Sequence, residues 1–281
     1  EATMLKDKMA LHLELENDHY HDCHALGLSL TDGEKTIFVP MNEVFENDVL
    51  KAWLADDTKT KYVSDRKATQ VMLNRLGYTF EGVAFDLMLA TYIMNPSVSG
   101  DDVATLAREF GYTEVRANES VYGKGAKWTE PEIEKLAEHV SRKAMAVWKL
   151  YPILEEKLKE NEQYELYNEL ELPLAGILGK MESEGVKVNV PTLEVMGEAL
   201  LGKLSIIEEE IYSLAGEKFN INSPKQLGVI LFDKLGMTPI KKTKTGYSTA
   251  ADVLEKLQSE HEIVKHILYY RQLAKLQSTY I

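Results

Sequence analysis

The residues best suited to chemistry lie near the end of the sequence, where Lys241, Lys242 and Lys244 are interleaved with Thr243 and Thr245, followed by Gly246, Ser248 and Thr249. Cations supply charge, hydroxyls supply directional hydrogen bonds, and a glycine lets backbone approach closely, a set suited to holding phosphate oxygens rather than breaking bonds. The helix expected after Ser248 would add unpaired amides at its N-terminus. Arg271, Lys275 and Ser278 or Thr279 follow at three- and four-residue spacing, which puts them on one helical face. From Lys218 to Ile281 there are ten Lys and Arg against five Asp and Glu, a balance of +5 in a chain whose total is -13. Residues 1 to 217 therefore carry -18. One pole attracts a polyanion and the rest repels it.

Other clusters yield to plainer readings. His19, His21, Cys23 and His24 with Asp22 invite a transition-metal site, but neighbouring residues alternate in direction and structural zinc usually draws ligands from two separated pairs. The segment reads as a polar connection between strands. Gly123-Lys124-Gly125 lacks the Gly-x-x-x-x-Gly-Lys-Ser/Thr pattern of a phosphate loop. Trp148 and Tyr151 read as core, and the Glu155-Glu156 and Glu208-Glu209-Glu210 runs as solvated helix faces.

The elements that must position these groups divide the chain in two. Met9 to Leu15 and Ala25 to Leu30 alternate as strands, and Asp32-Gly33 turns the chain into Thr36 to Val39, an antiparallel meander. A short strand is expected over Lys61 to Ser64, with helices at 48–54, 65–76, 86–94 and 102–110. Thr129-Glu130-Pro131-Glu132 reads as a capping box opening a helix that runs to about Leu150, where Pro152 limits or kinks it. Beyond Glu155 the pattern is helical: Leu154 to Leu172, Leu174 to Glu184, Pro191 to Ala215, and a helix capped by Ser223 and ended by Gly236. The expected boundary separates residues 1–168 from 169–281, joined without a flexible linker.

At 281 residues, 44% hydrophobic and 27% charged, the chain is long enough for two folded domains, and no apolar run reaches the roughly 18 residues of a membrane span. A single cysteine forbids an internal disulfide. A cytoplasmic, nucleoid-associated monomer without membrane contact is expected. Both ends read as cut from a longer protein, since the sequence opens on Glu1 and stops at Ile281 inside a helical pattern.

Three segments carry a family resemblance: Phe219-Asn220-Ile221-Asn222-Ser223-Pro224-Lys225-Gln226-Leu227, Lys241 to Thr249, and Tyr270-Arg271-Gln272-Leu273-Ala274-Lys275-Leu276-Gln277-Ser278-Thr279-Tyr280. In this order and spacing they resemble the thumb of the family A DNA polymerases, the bacterial DNA polymerase I family. The preceding 165 or so residues resemble that family's 3′→5′ proofreading exonuclease domain, most clearly at Gly82 to Tyr92 and Val121 to Lys127. The resemblance implies an α/β ribonuclease H-like exonuclease domain, a mixed sheet with an antiparallel meander and flanking helices, followed by a mostly α thumb.

In active relatives an Asp-x-Glu on the first strand and two further Asp hold two divalent metals that activate water. Here that register meets His12-Leu13-Glu14, or Glu14-Leu15-Glu16 after a two-residue shift. The second motif places Thr69 where a metal-binding Asp is required, and the third, Tyr-x-x-x-Asp in active members, reads His139-Val140-Ser141-Arg142-Lys143. An ammonium in place of a ligand opposes a divalent ion by more than the roughly 4 kcal/mol of a unit-charge pair at 4 Å. The domain therefore reads as a degenerate, structural exonuclease with no metal of its own.

By resemblance, Asn220, Asn222 and Ser223 join the lysines, hydroxyls, Arg271 and Lys275 in gripping primer-template duplex. A plain reading makes Ser223 a helix cap and the asparagines turn residues. The parent would be a DNA-directed DNA polymerase, a nucleotidyltransferase of replication and repair synthesis using Mg²⁺ and deoxynucleoside triphosphates, with its polymerase carboxylates beyond Ile281. This chain alone should not polymerise. Two rivals remain: an active exonuclease with metals on Glu14 and Glu16, opposed by Thr69 and Lys143, and a helical adaptor binding proteins through its acidic surface, disfavoured by the basic end.

Overall fold

Alternation along the first strand decides the architecture of the N-terminal half. In the computed structural model, which describes residues 4–44, 47–98, 100 and 102–281, strand β1 (Lys8–Leu15) sends Met9, Leu11 and Leu13 into one apolar core and Ala10 into another. A strand covered on both faces must lie inside a sheet. β2 (Ala25–Thr31) and β3 (Thr36–Pro40) complete the expected meander on one side, both antiparallel. Gly33, at φ +91°, makes the turn between them, and a Cβ there would collide with the indole of Trp148. After α1 (Met41–Val44) and α2 (Asp48–Ala55), β4 (Thr60–Val63) joins the other side of β1 in parallel. The sheet order is β3-β2-β1-β4-β5.

β5 (Val83–Asp86), parallel to β4, was not expected as a strand. Its four residues are too few to show alternation, and only pairing with β4 defines it. Asp65 caps α3 (Arg66–Arg75), Asp86 caps α4 (Leu87–Met94) and Asp102 caps α5 (Val103–Glu109), each through a side-chain oxygen on a helix amide. The short α6 (Asn118–Tyr122) follows.

The long helix corrects two expectations. α7 (Ile133–Glu160) does not stop near Leu150 but continues through Pro152 for 28 residues. Pro152 lies on the exposed side of the helix, while Leu150, Leu154 and Leu158 stay buried on the other side and hold the helix in line. The Thr129 capping box does not form: Glu132 occupies the cap position without a side-chain bond, and the Thr129 hydroxyl donates to the Lys127 carbonyl. The helix expected from Leu154 to Leu172 is likewise interrupted, at Asn161–Gln163, where Glu162 takes φ 59°. A π-helical turn (Leu166–Glu171) then runs directly into α8 (Leu172–Glu184), with Pro173 in its first turn. Trp148 and Tyr151 pack as core residues: Tyr62 stacks on Tyr151 at 4.0 Å and tilts against Trp148 at 6.0 Å.

Packing divides the chain into two compact units, residues 1–185 and 186–281, so α8 packs with the first. The second unit is helical. α9 (Val190–Ala215) ends at Gly216 in the left-handed conformation, and α10 (Pro224–Gly228) is capped by the Ser223 hydroxyl and prolonged by a π turn (Val229–Lys234). A two-residue hairpin, β6 (Lys242–Thr243) and β7 (Gly246–Tyr247), precedes α11 (Ala251–Leu257) and α12 (Ile263–Lys275), and a last π turn covers Leu276–Tyr280. Ile207, Ile211, Leu227, Leu231, Leu254 and Ile267 form its core. No helix among the described residues is long and apolar enough to cross a membrane.

One buried cation in the first unit yields a measurable consequence. Lys61 on β4 is fully buried; its ammonium donates to the Asp56 carbonyl at 2.6 Å and lies 4.7 Å from the Trp53 ring. Burial lowers its pKa from 10.5 to about 8. Between those values the unfolded chain binds more protons than the folded one, so stability rises as pH rises through that window. Allowing for solvent screening, the rise is about 2 kcal/mol. Denaturant unfolding at pH 8 and 10.5 should show it in the wild type and a correspondingly smaller rise in Lys61→Met; equal slopes would refute the assignment to Lys61.

Candidate functional site

The side chains expected at the degenerate catalytic positions converge. The alternation that buries Leu13 points Glu14 to the opposite face of β1, toward α7, where His139 and Lys143 are one helical turn apart. Lys143 Nζ lies 2.9 Å from Glu14 Oε1 and 2.8 Å from Oε2, and both side chains are almost fully buried. His12 completes the group, with Nε2 3.3 Å from Glu14 Oε2 and Nδ1 2.6 Å from the Ser64 hydroxyl. His12, Glu14, Ser64 and Lys143 line a cavity of about 510 Å³ that also takes in Glu16, Asp65, Thr69 and Asp102.

The electrostatics are those of a closed ion pair. Burial alone would push the Glu14 carboxyl up, but the Lys143 ammonium and His12 outweigh it and hold the carboxyl far below the ordinary range. Burial lowers His12, with Lys143 adding to the effect against the raising influence of Glu14. Burial and the nearby ammonium lower His139 to about 4, so it is neutral near pH 7. Asn118 Oδ1 can only accept, so His139 Nε2 donates to it at 3.0 Å, and the same oxygen accepts from Lys143 at 2.7 Å.

The ligand position of the second motif is closed in a different way. Thr69 is buried, and its hydroxyl donates to the Asp65 carbonyl at 2.6 Å. Glu16 lies just past the end of β1, half-buried at the cavity wall. A pair of divalent ions needs several convergent carboxylates free of competing cations, and here the central carboxylate is held by an ammonium. These residues do not fit that metal pair.

Two residues of this cavity escaped the sequence reading. Asn118 joins His139 to Lys143, and Asp102 accepts from the Asn118 amide at 3.1 Å while capping α5. Asp102 was legible only as the start of a helix, and Asn118, 25 residues before Lys143, has no local periodicity to announce it. Asp86, inside the Gly82 to Tyr92 match, is a structural group: its two oxygens accept from the Arg66 and Leu89 amides, and burial with Asp65 nearby pushes it up to about 8. In the His19–His24 segment the side chains diverge, His21 to Glu182 at 2.9 Å and Cys23 Sγ to the Asn17 carbonyl at 3.6 Å.

In the second unit the basic segment is a hairpin rather than an open loop. Lys241, Lys242, Thr243, Lys244 and Thr245 are exposed, and Ser248 N closes on the Lys241 carbonyl at 2.8 Å. Ser248 and Thr249 are buried beneath it. Arg271 turns inward from α12 and donates to the Thr249 carbonyl, with a longer contact of 3.4 Å to its hydroxyl. Tyr247 stands edge-on to Phe232 at 5.4 Å, which fixes the hairpin to the π turn. A shallow cavity of about 900 Å³ is lined by Asn222, Thr243, Thr245, Tyr247 and Arg271, together with Lys225, which the sequence reading did not single out.

The remaining expected contacts are accounted for locally. The Ser223 hydroxyl accepts from the Gln226 amide, Gln226 Oε1 accepts from the Asn220 amide, and Asn220 Oδ1 accepts from the Asn222 amide. This is the cap and turn of the plain reading, with the outward sides of Asn220 and Asn222 exposed. Lys275, Ser278 and Thr279 are exposed, the last two in the π turn that alters the helical phase after Lys275. The helix after the hairpin starts at Ala251, with no side-chain cap.

The family description "DNA polymerase I, ribonuclease H-like domain" matches residues 11–150, and "DNA polymerase family A" matches residues 190–281. The chain is 51% identical over 278 residues to DNA polymerase I of Geobacillus stearothermophilus, covering 99% of this chain and 32% of that protein. It is 51% identical over 280 residues to DNA polymerase I of Bacillus subtilis and 32% identical over 265 residues to that of Mycobacterium bovis. The chain thus spans about a third of the length of these curated relatives. Among solved structures, the POL domain of Pol1 from M. smegmatis, in complex with DNA primer-template and dNTP, matches with a TM-score of 0.84 at 27% identity, over 98% of this chain and 46% of that one.

Proposed function

The chain belongs to the family A DNA polymerases, and on that premise we propose that it is the section of a DNA polymerase I that carries a silent exonuclease domain and the thumb that grips duplex DNA. The parent extends a primer along a template from deoxynucleoside triphosphates with Mg²⁺, as a cytoplasmic, nucleoid-associated monomer working in replication and repair. The exonuclease-like domain is assigned to residues 1–168 and the start of the polymerase domain to 169–281. The polymerase carboxylates belong to the part of the relatives that this chain does not span, so the chain alone does not polymerise.

The observation that carries the silent-exonuclease reading is the Lys143 ammonium within 2.9 Å of both Glu14 oxygens. That position would have to hold a divalent cation for hydrolysis, and a buried ammonium bonded to the Glu14 carboxylate competes with it directly. What supports the thumb reading is a row of exposed lysines on a hairpin fixed from below. Lys241, Lys242, Lys244 and Lys275 make the phosphate contacts, with Thr243, Thr245, Ser278 and Thr279 as neutral donors and Asn220, Asn222 and Ser223 at the second edge. Arg271, Ser248 and Thr249 act by holding the hairpin on α12. A grip on backbone suits a protein that must hold any sequence.

The test is a nuclease assay on the 281-residue chain with a 3′-ended single strand. No nucleotide release is expected with Mg²⁺ or Mn²⁺, and Thr69→Asp alone should not restore it while Lys143 remains. Metal-dependent release that Glu14→Ala abolishes would overturn the silent-exonuclease reading. For the parent activity, primer extension by the full-length protein is the measurement, and its failure would overturn the polymerase reading.

A further inference from the structure

The first strand also carries groups arranged for a different chemistry. Leu11 pairs with Val63 in the parallel ladder of β1 and β4, so His12 and Ser64, one residue further along each chain, stand side by side. His12 and Glu14 share a face of β1 because they are two residues apart. The Ser64 hydroxyl lies 2.6 Å from His12 Nδ1, and His12 Nε2 lies 3.3 Å from Glu14 Oε2. Hydroxyl, imidazole and carboxylate thus follow one another along the wall of the cavity of about 510 Å³, which Ser64, otherwise buried, borders.

The carboxylate fixes the order of protons in this row. Lys143 keeps Glu14 ionised, and an ionised carboxylate only accepts, so Nε2 carries the hydrogen of the ring. Burial favours the neutral imidazole, which leaves Nδ1 as an acceptor and the Ser64 hydroxyl as its donor. A serine that donates to an imidazole oriented by a buried carboxylate is arranged as an activated nucleophile. Ser64 also occupies the turn between the end of β4 at Val63 and the start of α3 at Arg66, a strand-to-helix junction of the kind on which nucleophilic serines are presented. Capping of α3 falls to its neighbour Asp65, and the Ser64 hydroxyl is left to His12.

We propose that Ser64 is a nucleophile toward small uncharged carboxylic esters, with His12 as its general base and Glu14 as the residue that positions the ring, an activity independent of the polymerase reading. Ser64 Oγ bonds to the ester carbonyl carbon while its proton passes to His12 Nδ1; the alkoxy group then leaves with that proton, and acyl-Ser64 remains. Water, deprotonated by the same Nδ1, adds to the acyl carbon, and the carboxylic acid departs as the proton returns to Ser64. The rest of the wall selects charge. Glu16, Asp18, Asp102 and Glu119 outnumber Lys124 there, so a phosphate ester or another anion is repelled and an uncharged ester is not. Trp128 and Tyr122, stacked at 5.8 Å, offer an apolar side to the ester's hydrocarbon.

The probe is diisopropyl fluorophosphate, an uncharged organophosphorus fluoride that attaches to a serine whose hydroxyl is activated, with loss of fluoride and of the proton taken by His12. After incubation with the 281-residue chain, peptide mass spectrometry should find the label on Ser64, and prior unfolding in denaturant should abolish it. His12→Gln should slow labelling by at least about 100-fold. Hydrolysis of p-nitrophenyl acetate gives the catalytic readout. Ser64→Ala, which removes a single oxygen, should abolish the protein's share of the rate, and Glu14→Gln combined with Lys143→Met should lower kcat by about tenfold or more with little change in KM. Absence of label at Ser64, equal labelling of His12→Gln, or a Ser64→Ala rate equal to that of the wild type would each overturn the proposal. So would an unchanged kcat in the double variant, which takes Glu14 out of the relay.

Discussion

Lys143→Ala is expected to destabilise the first unit by about 3–5 kcal/mol, because it leaves the Glu14 carboxylate, almost fully buried, without its principal cation. Lys143 is the principal cation beside that carboxylate, at 2.8 Å and 2.9 Å, and His12 offers only a 3.3 Å contact from a ring whose protonation burial disfavours. Denaturant unfolding of the 281-residue chain, followed by a probe in the first unit, measures the loss. The double variant Glu14→Gln, Lys143→Met removes both charges at nearly constant volume, and it should recover most of the stability lost by the single change, since an uncharged pair carries no desolvation penalty of that size. A single variant that unfolds like the wild type would show that water reaches Glu14 and that the ammonium does not close the site.

The same cluster sets an acid limb. Glu14 has its folded pKa depressed below the ordinary 4.5, so its contribution is present above that value and is lost as pH falls below it. His139, lowered from 6.5 to about 4, works in the same direction: between those values the unfolded chain takes up a proton that the folded chain refuses. The contribution of this cluster should therefore begin to fall below about pH 6.5 and fall faster below 4.5; Asp86, pushed up to about 8, acts with the opposite sign as pH falls through that range, so the limb is read as the difference between the wild type and the double variant. In the double variant the Glu14 part disappears, and the histidine part remains only as far as burial sustains it, since the ammonium that helps lower His139 is gone.

How much of this was legible in the sequence depends on how local the cause is. The alternation of Met9 to Leu15 places Leu13 and Glu14 on opposite faces whatever lies beyond, and the spacing of His139 and Lys143 puts both on one face of α7. Their meeting needed only the two elements to pack. Asn118 and Asp102 stayed invisible because their roles come from contacts across 16 to 25 residues between separate elements. Pro152 misled because a proline's effect on a helix depends on which side faces water, and tertiary burial of Leu150 and Leu154 overrides the local preference. β5 required β4 beside it. In the second unit the cations were legible, but the inward turn of Arg271 was not: spacing along α12 gives the face of a side chain, and only the hairpin above it supplies the Thr249 carbonyl that draws it in.

That inward turn separates two kinds of residue in the last prediction. Each phosphate contact changes the slope of log affinity against log salt by about 0.9 for duplex DNA. Replacing Lys241, Lys242 and Lys244 together by Ala should flatten the slope for non-specific duplex binding by about 2.7, so that between 50 and 200 mM salt the wild type weakens about 40-fold more than the variant. Lys275→Ala should flatten it by about 0.9. Arg271→Ala is expected to behave differently: its guanidinium is half-buried and engaged with Thr249, so the variant should weaken binding at every salt concentration and loosen the hairpin without flattening the slope. Titrations of the 281-residue chain against a duplex at several salt concentrations, repeated with a second sequence to establish indifference to bases, give all three values. A triple-lysine variant that keeps both affinity and slope removes the hairpin from the grip, and a slope change of a full contact on losing Arg271 returns that residue to the phosphate-binding set.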